Sequence, residues 1–188
     1  ITNSAITETL TNVEKYFSNT NNLINSPFFL PYLSGERTPH NDPYIRGSFH
    51  SMKTTTSSTN LQYAVIEGVS FGILDGVNSI LKVNKNFEKI FMVGGGSKSK
   101  FWIELIASLL NRNLSVCNQS EFGAALGVAR LAMHVDKNIN SDVSIIKEIK
   151  ISETFNPIDN KIDLLLKRYS IWKDLYSSNK DIAPSLLT

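Results

Sequence analysis

The run Gly94-Gly95-Gly96 constrains this chain more than any other feature. Four apolar residues, Ile90 to Val93, precede it and make a segment of strand length. The stretch after it, Lys98 to Leu110, is amphipathic at helical spacing. Glycine accepts positive φ angles and lets another group approach its backbone. A helix that starts just beyond such a turn offers unpaired N–H groups and partial positive charge, which suits phosphate. The same residues also suit a tight strand-to-helix turn with nothing bound, and the sequence leaves both readings open. Two phosphate signatures are excluded: no Gly-Lys-Ser/Thr follows at P-loop spacing, and Ser99 stands where a dinucleotide fingerprint has its third glycine.

Strands alternate with helices after residue 47, which predicts an α/β fold with helices packed on a sheet. Residues 4–17 read as a helix with Ile6, Leu10, Val13 and Phe17 on one face. The Asn-rich stretch 18–26 reads as a loop, Phe28 to Leu33 as a buried extended piece, and 47–52 as a strand. A loop at 53–59 ends in a helix cap at Ser58 or Thr59, and a long helix runs from Asn60 to about Leu81. A strand is expected at 113–117 and a helix at 121–133 capped by Ser120, whereas 136–153 is polar and carries no clear period. For the last helix, Asn156 suits the cap and Pro157 the first helical position. Its apolar stripe, Ile158, Ile162, Leu165, Tyr169, Trp172 and Tyr176, predicts packing along the domain or a neighbour.

Helix-interior glycines need a reason, because each costs about 1 kcal/mol relative to alanine. Gly68, Gly72 and Gly76 form one stripe on the long helix, and Gly123 and Gly127 form a second. Both patterns predict close approach by a neighbouring element, or by a ligand at Gly123 and Gly127. Glu67 and Asp75 flank the first stripe and read as solvated helix charges. The segment Ser34 to Pro43 gathers chargeable side chains in a loop bounded by proline and reads either as a binding loop or as a salt-bridged turn. His50 and His134 carry no motif, and no metal-ligand spacing appears.

Charge and cysteine content narrow the classes. The net charge is +2, and Lys98 and Lys100 are the nearest approach to a basic cluster, so no nucleic-acid stripe is present. Cys117 is the single cysteine, which excludes an internal disulfide and fits a reducing, cytoplasmic setting. No uninterrupted apolar run approaches the roughly 20 residues that span a bilayer. The chain opens at Ile1 directly into a helical pattern, and the expectation is a fragment of a longer protein.

Several segments, taken in order, resemble the FGGY carbohydrate kinases. Phe29 to His40, reading FLPYLSGERTPH, is similar to a segment of the xylulokinase subfamily. Gly47-Ser48-Phe49-His50-Ser51-Met52, seven residues, then Asn60 to Glu67 resemble the family's C-terminal signature. Gly94 to Ser99 and Gly123 to Ala129 resemble its adenosine motif and a later small-residue element. The resemblance covers residues 28–177. It implies an actin-like, ribonuclease-H-like domain with a mixed sheet flanked by helices, one nucleotide-binding lobe across residues 1–188 of a two-lobe kinase.

It also implies ATP with Mg2+ as cofactor and a sugar, D-xylulose, as acceptor, phosphorylated to xylulose 5-phosphate. Another sugar or polyol acceptor and an inactive nucleotide-binding module are the alternatives. Gly94, Gly95, Gly96 and Ser99 are implied at the adenosine, and Ser51 beside the phosphates. The family usually has glycine where this chain has Ser51. The catalytic aspartate and most sugar contacts are expected upstream, so no catalytic or metal-binding residue is assigned here and the chain alone is expected to be inactive. A homodimer is allowed, and no nucleic-acid or membrane partner is expected.

Overall fold

A computed structural model describes residues 3–83, 89–118, 123–136 and 150–182. Two helices, α1 (Asn3–Ser18) and α2 (Thr20–Asn25), lead into strand β1 (Phe28–Leu30). A long loop reaches β2 (Ser48–His50), and helix α3 (Ser58–Val83) follows. Then come β3 (Phe91–Met92), a 3₁₀ turn at Gly95–Lys98, α4 (Lys100–Leu110) and β4 (Leu114–Cys117). Helix α5 (Gly123–Asp136), β5 (Ile151–Phe155) and α6 (Asp159–Asn179) complete the described elements.

The strands form two small sheets. β1 and β2 pair antiparallel, with Phe29 opposite Phe49. The second sheet has the order β3-β4-β5; β3 and β4 are parallel, and β4 and β5 are antiparallel. The expected mixed sheet with helices packed on it is therefore present. The parallel β3–β4 pair needs a crossover, which α4 supplies by packing Ile103, Ile106 and Ala107 on Leu114, Val116 and Phe155.

The main core lies between α1, α3, α4, α6 and β1. Trp172 is fully buried at its centre, and its indole N–H donates to the Phe29 carbonyl at 2.8 Å. Leu165 and Tyr169 are buried with it, so the α6 stripe packs along the domain itself. α3 is long and apolar enough to cross a membrane by length and composition, which a search for uninterrupted apolar runs passes over. In the fold it is the central helix, touching β1, α1, α4 and α6.

Local chemistry explains the boundaries that differ from expectation. The Asn-rich segment is not all loop: the Asn19 side chain accepts from the Asn21 N–H, and Leu23 is fully buried, so one short helix forms. α3 is capped at Ser57, one residue before the expected cap. Ser57 Oγ accepts from the Asn60 N–H, and Asn60 Oδ1 accepts from the Ser57 N–H. α6 starts at Asp159 rather than Pro157, because Ile158 is extended (φ −96, ψ 94) and takes the cap position, its N–H donating to Ser108 Oγ at 2.8 Å. The end of the polar stretch that showed no period, 136–153, runs into 151–155, a mostly exposed strand held by β4. Ser120, expected as the α5 cap, lies outside the described residues.

Two expectations about charge are overturned. Glu67 is buried and paired with Arg168 at 2.6 Å. Asp75 is largely buried, 3.2 Å from His40 Nε2, and accepts from Tyr169 Oη at 2.8 Å. Helical period alone gave no sign of these partners, because both come from segments distant in sequence.

The glycine stripe on α3 has one cause rather than three. A Cβ at Gly68 would collide with the Phe29 carbonyl oxygen, so α3 sits directly on the β1 backbone. At Gly72 the nearest atom, Pro31 Cγ, would be at an ordinary 3.8 Å, and at Gly76 nothing lies within 4 Å. Close packing therefore holds at the first position and not along the whole helix.

Candidate nucleotide site

The three consecutive glycines do three different jobs. Gly94 has φ +86, a conformation L side chains rarely adopt, and it starts the 3₁₀ turn with Ser97 Oγ donating to its carbonyl at 2.7 Å. Gly96 lies under side chains; a Cβ there would come within 2.9 Å of Met92 Cε and 3.2 Å of Trp102 Cζ3. Gly95 has an ordinary φ and nothing within 4 Å of its Cβ position. Neither backbone strain nor packing demands glycine at position 95.

Gly95 opens onto a cleft of about 750 Å³ between the turn and α1. Gly96, Lys98, Ser99, Lys100, Phe101 and Trp102 line one wall, and Leu10, Thr11 and Glu14 line the other. The volume lies in the ordinary range for a small-molecule site. Ser99 caps α4, its Oγ accepting from the Trp102 N–H at 3.3 Å. The helix thus begins two residues later than expected, because Gly95–Lys98 is spent in the 3₁₀ turn. Trp102 is held by its own indole N–H, which donates to Ser70 Oγ on α3 at 2.9 Å. Lys100 reaches across to Glu153 at 2.8 Å, and that hydrogen bond raises its pKa.

Of the expected site residues, Gly95, Gly96 and Ser99 line the cleft, and Gly94 shapes the turn. Ser51 does not line it. It is exposed on the turn after β2 with φ +62, a left-handed conformation. The three α1 residues were not anticipated as site residues, since no local pattern connects them to a turn some 80 positions later. The second small-residue helix meets the residue before the turn: a Cβ at Gly123 would touch Val93 Cβ at 3.4 Å, while Gly127 meets nothing within 4 Å.

The Ser34–Pro43 loop is pinned from within. The Glu36 carboxylate accepts from the Thr38 and His40 N–H groups, and the backbones of Glu36 and Asp42 pair in both directions. The His40 ring stacks on Tyr176 with centroids 3.6 Å apart. Asp42 accepts from the Tyr44 and Ile45 N–H groups and from Tyr176 Oη. Partial burial works to raise its pKa, but these hydrogen bonds outweigh it and hold the carboxyl below its usual value. The loop between β1 and β2 is a turn braced by its own charged groups and held against Tyr176 of α6. Among the described residues no group of three or more His, Cys, Asp or Glu side chains is placed to hold a metal ion.

Comparison with known proteins gives the same fold. The model of the FGGY family of carbohydrate kinases, C-terminal domain, matches residues 3–135. Xylulose kinase of Staphylococcus epidermidis is 35% identical over 167 residues, covering 87% of this chain and 33% of that protein. Xylulose kinase of Escherichia coli is 30% identical over 149 residues, covering 79% and 31%. Among solved structures, a xyloylose kinase from Brucella ovis matches with TM-score 0.70 and 31% identity, over 92% of this chain and 38% of that one. Ligand-bound xylulose kinase from Lactobacillus acidophilus matches with TM-score 0.73 and 26% identity, over 94% and 35%.

The sheets, their helices and the glycine turn are those of an actin-like ATPase domain. The chain belongs to the FGGY family of carbohydrate kinases and carries the family's C-terminal domain. It spans about a third of the length of the curated relatives it matches.

Proposed function

We propose that this chain is the nucleotide-binding part of a kinase that transfers the γ-phosphoryl group of ATP to D-xylulose. The observation that carries the reading is Gly95, whose missing side chain leaves room at the mouth of the cleft although the fold does not require it. The donor set fits the adenosine end of a nucleotide. Leu10 and Trp102 give apolar walls for a base, and Glu14 offers an acceptor for a ribose hydroxyl or an exocyclic amine. Lys98 and Lys100 add positive charge on the same rim. The proposed set is Gly94, Gly95, Gly96 and Ser99 at the adenosine, with Ser51 toward the phosphates by family resemblance alone.

Phosphoryl transfer rests on positioning and charge neutralisation, which ATP with Mg2+ and the upstream aspartate would complete. Within that scheme this chain orients the nucleotide and supplies no proton acceptor. A cytoplasmic location belongs to the same reading, as do ATP and a ketose as the small-molecule partners. Xylulose is favoured as the acceptor by the names of the relatives, and the pinned Glu36-to-His40 loop is the segment of this chain most similar to that subfamily.

Titration with Mg-ADP, followed residue by residue by NMR, tests the site. Shifts are expected at Gly95, Gly96, Ser99, Leu10 and Glu14, and Gly95→Val should abolish them while the rest of the spectrum stays folded. An unchanged spectrum at millimolar ADP overturns the cleft assignment. Steady-state rates of the full-length protein on a panel of ketoses and polyols test the acceptor, with xylulose expected to give the highest kcat/KM.

A further inference from the structure

Ser70 lies in the middle of α3 and is fully buried. By helix propensity a serine gains nothing over alanine at such a position. Its hydroxyl donates to the Ile66 carbonyl at 2.7 Å, one turn earlier. A hydroxyl has one proton and two lone pairs, so with that proton placed, Oγ meets any further partner as an acceptor. The partner is the Trp102 indole N–H at 2.9 Å, on α4. This bond takes the one proton an indole can donate. The indole spans the gap between α3 and the glycine turn. Nε1, on its five-membered ring, points at Ser70. Cε3 and Cζ3, on the six-membered ring, lie 3.4 and 3.2 Å from where a Cβ on Gly96 would stand. Trp102 also packs against both hydrophobic cores. Its backbone N–H is fixed by Ser99 Oγ at the cap of α4, which leaves the side-chain rotation for the bond to Ser70 to decide.

We propose that Ser70 is a positioning residue for the nucleotide site: it locks the Trp102 ring against Gly96, and the locked ring supports the glycine turn and forms an apolar wall of the cleft. The proposal rests on the nucleotide reading of that cleft. Ser70 is buried and belongs to neither cleft wall, so it reaches a bound nucleotide only through Trp102. Without the bond the indole samples other rotamers. Only the fraction that keeps the present one leaves the cleft ready for a ligand, and the apparent affinity falls by that fraction. The serine is thus kept for the lone pair it turns toward α4, since the Ile66 carbonyl already has a place in the helix's own ladder.

A double-variant cycle in the full-length protein tests it, with Mg-ADP as the probe and calorimetry as the readout. Ser70→Ala is expected to weaken binding about 10-fold, the scale of leaving one buried donor unpaired. Alanine favours the helix, so this variant should stay folded, which urea unfolding checks. In a Trp102→Phe background, which has no indole N–H, adding Ser70→Ala should change the affinity by no more than about 2-fold. The Trp102 indole N–H resonance, assigned by its loss in Trp102→Phe, should shift in Ser70→Ala and exchange with solvent about 10-fold faster. A folded Ser70→Ala protein with weakened binding but an unmoved indole resonance overturns the proposal, and so does an equal loss of affinity in both backgrounds. Wild-type protein that binds no Mg-ADP overturns the nucleotide reading and this proposal together. Wild-type binding that Ser70→Ala leaves intact overturns this proposal alone.

Discussion

Arg168 and Glu67 meet side by side, Nε against Oε1 and Nη2 against Oε2, both at 2.6 Å. Neither residue is more than 4% exposed. Tyr63 Oη donates to the same Glu67 oxygen that receives Nε, and the guanidinium lies over the Phe28 ring, 4.3 Å from its centroid. Arg168 also reaches the Ser26 and Pro27 carbonyls at 3.4 Å. One bidentate pair thus ties α6 to α3 and to the entry of β1. Burial alone would lower the Arg168 pKa, but its hydrogen bonds and charge pairing with Glu67 hold it raised. Burial first, and then Glu67, push Tyr63 well above its ordinary value.

Removing one partner leaves the other charge buried. Arg168→Met is expected to cost about 3–5 kcal/mol. Adding Glu67→Leu should restore most of that loss, because the double variant buries no unpaired charge. Urea unfolding of the four proteins in the cycle measures the coupling, and additive losses would show that the pair does not act as a unit.

Gly68 and Gly76 share a helix and a spacing but not an environment. Gly68→Ala should destabilise by about 2 kcal/mol or more, because its Cβ overlaps the Phe29 carbonyl and overpacking exceeds the gain in helix propensity. Gly76→Ala should stabilise this chain by about 1 kcal/mol, since its Cβ meets nothing. Thermal unfolding separates the two, and shifts of the same sign would contradict the packing described for α3.

Ser51 adopts φ +62, where glycine carries no steric cost. Ser51→Gly should stabilise the chain by about 0.5 kcal/mol, the left-handed penalty less the added freedom of glycine in the unfolded state. Ser51→Val should cost more than 1 kcal/mol, because a β-branched side chain fits this region least well. Equal stability of all three would mean the turn relaxes without penalty.

His50 joins β2 to the end of α6. Its Nε2 lies 2.7 Å from Ser48 Oγ and 3.0 Å from Asn179 Nδ2, an amide donor that an unprotonated Nε2 accepts from. Burial lowers its pKa below the ordinary 6.5. The unfolded chain therefore takes up a proton at a higher pH than the folded one. The stability held above pH 6.5 should fall as the pH drops through the lowered folded value. Denaturant midpoints measured from pH 8 to pH 5 should show this loss, and His50→Gln should flatten the profile over that window.

The glycine turn and the helices around it were legible in the chain, because their signals are local. A strand-length apolar run, a glycine turn and an amphipathic stretch occupy the 21 consecutive residues 90–110, and α4 forms within the amphipathic stretch, its start delayed two residues by the 3₁₀ turn. The aromatic stripe of α6 was equally readable, although its start was not: Pro157 marks a plausible first turn, but Ile158 is extended at the cap position and its N–H is bonded to Ser108, some 50 residues away. α2 was hidden because asparagine signals loops by composition, while a single buried leucine and an Asn19 cap suffice for one helical turn or so. β5 had no apolar alternation to reveal it, since four of its five side chains face solvent. The far wall of the cleft was invisible for a different reason: Leu10 and Glu14 look like ordinary positions on an amphipathic helix.

The sequence by itself determined the elements whose stability is written in neighbouring residues: the helical periods, the apolar strands and the turn that only glycine at position 94 can make. It also carried the family, through motifs whose order survives without any structure. Tertiary structure alone decided which glycine is needed for packing and which for space, since Gly68, Gly76 and Gly95 are the same residue in three surroundings. It also turned Glu67 from a helix charge into half of a buried pair, because only folding brings Arg168 within 2.6 Å across a hundred residues and removes the water that would otherwise screen it.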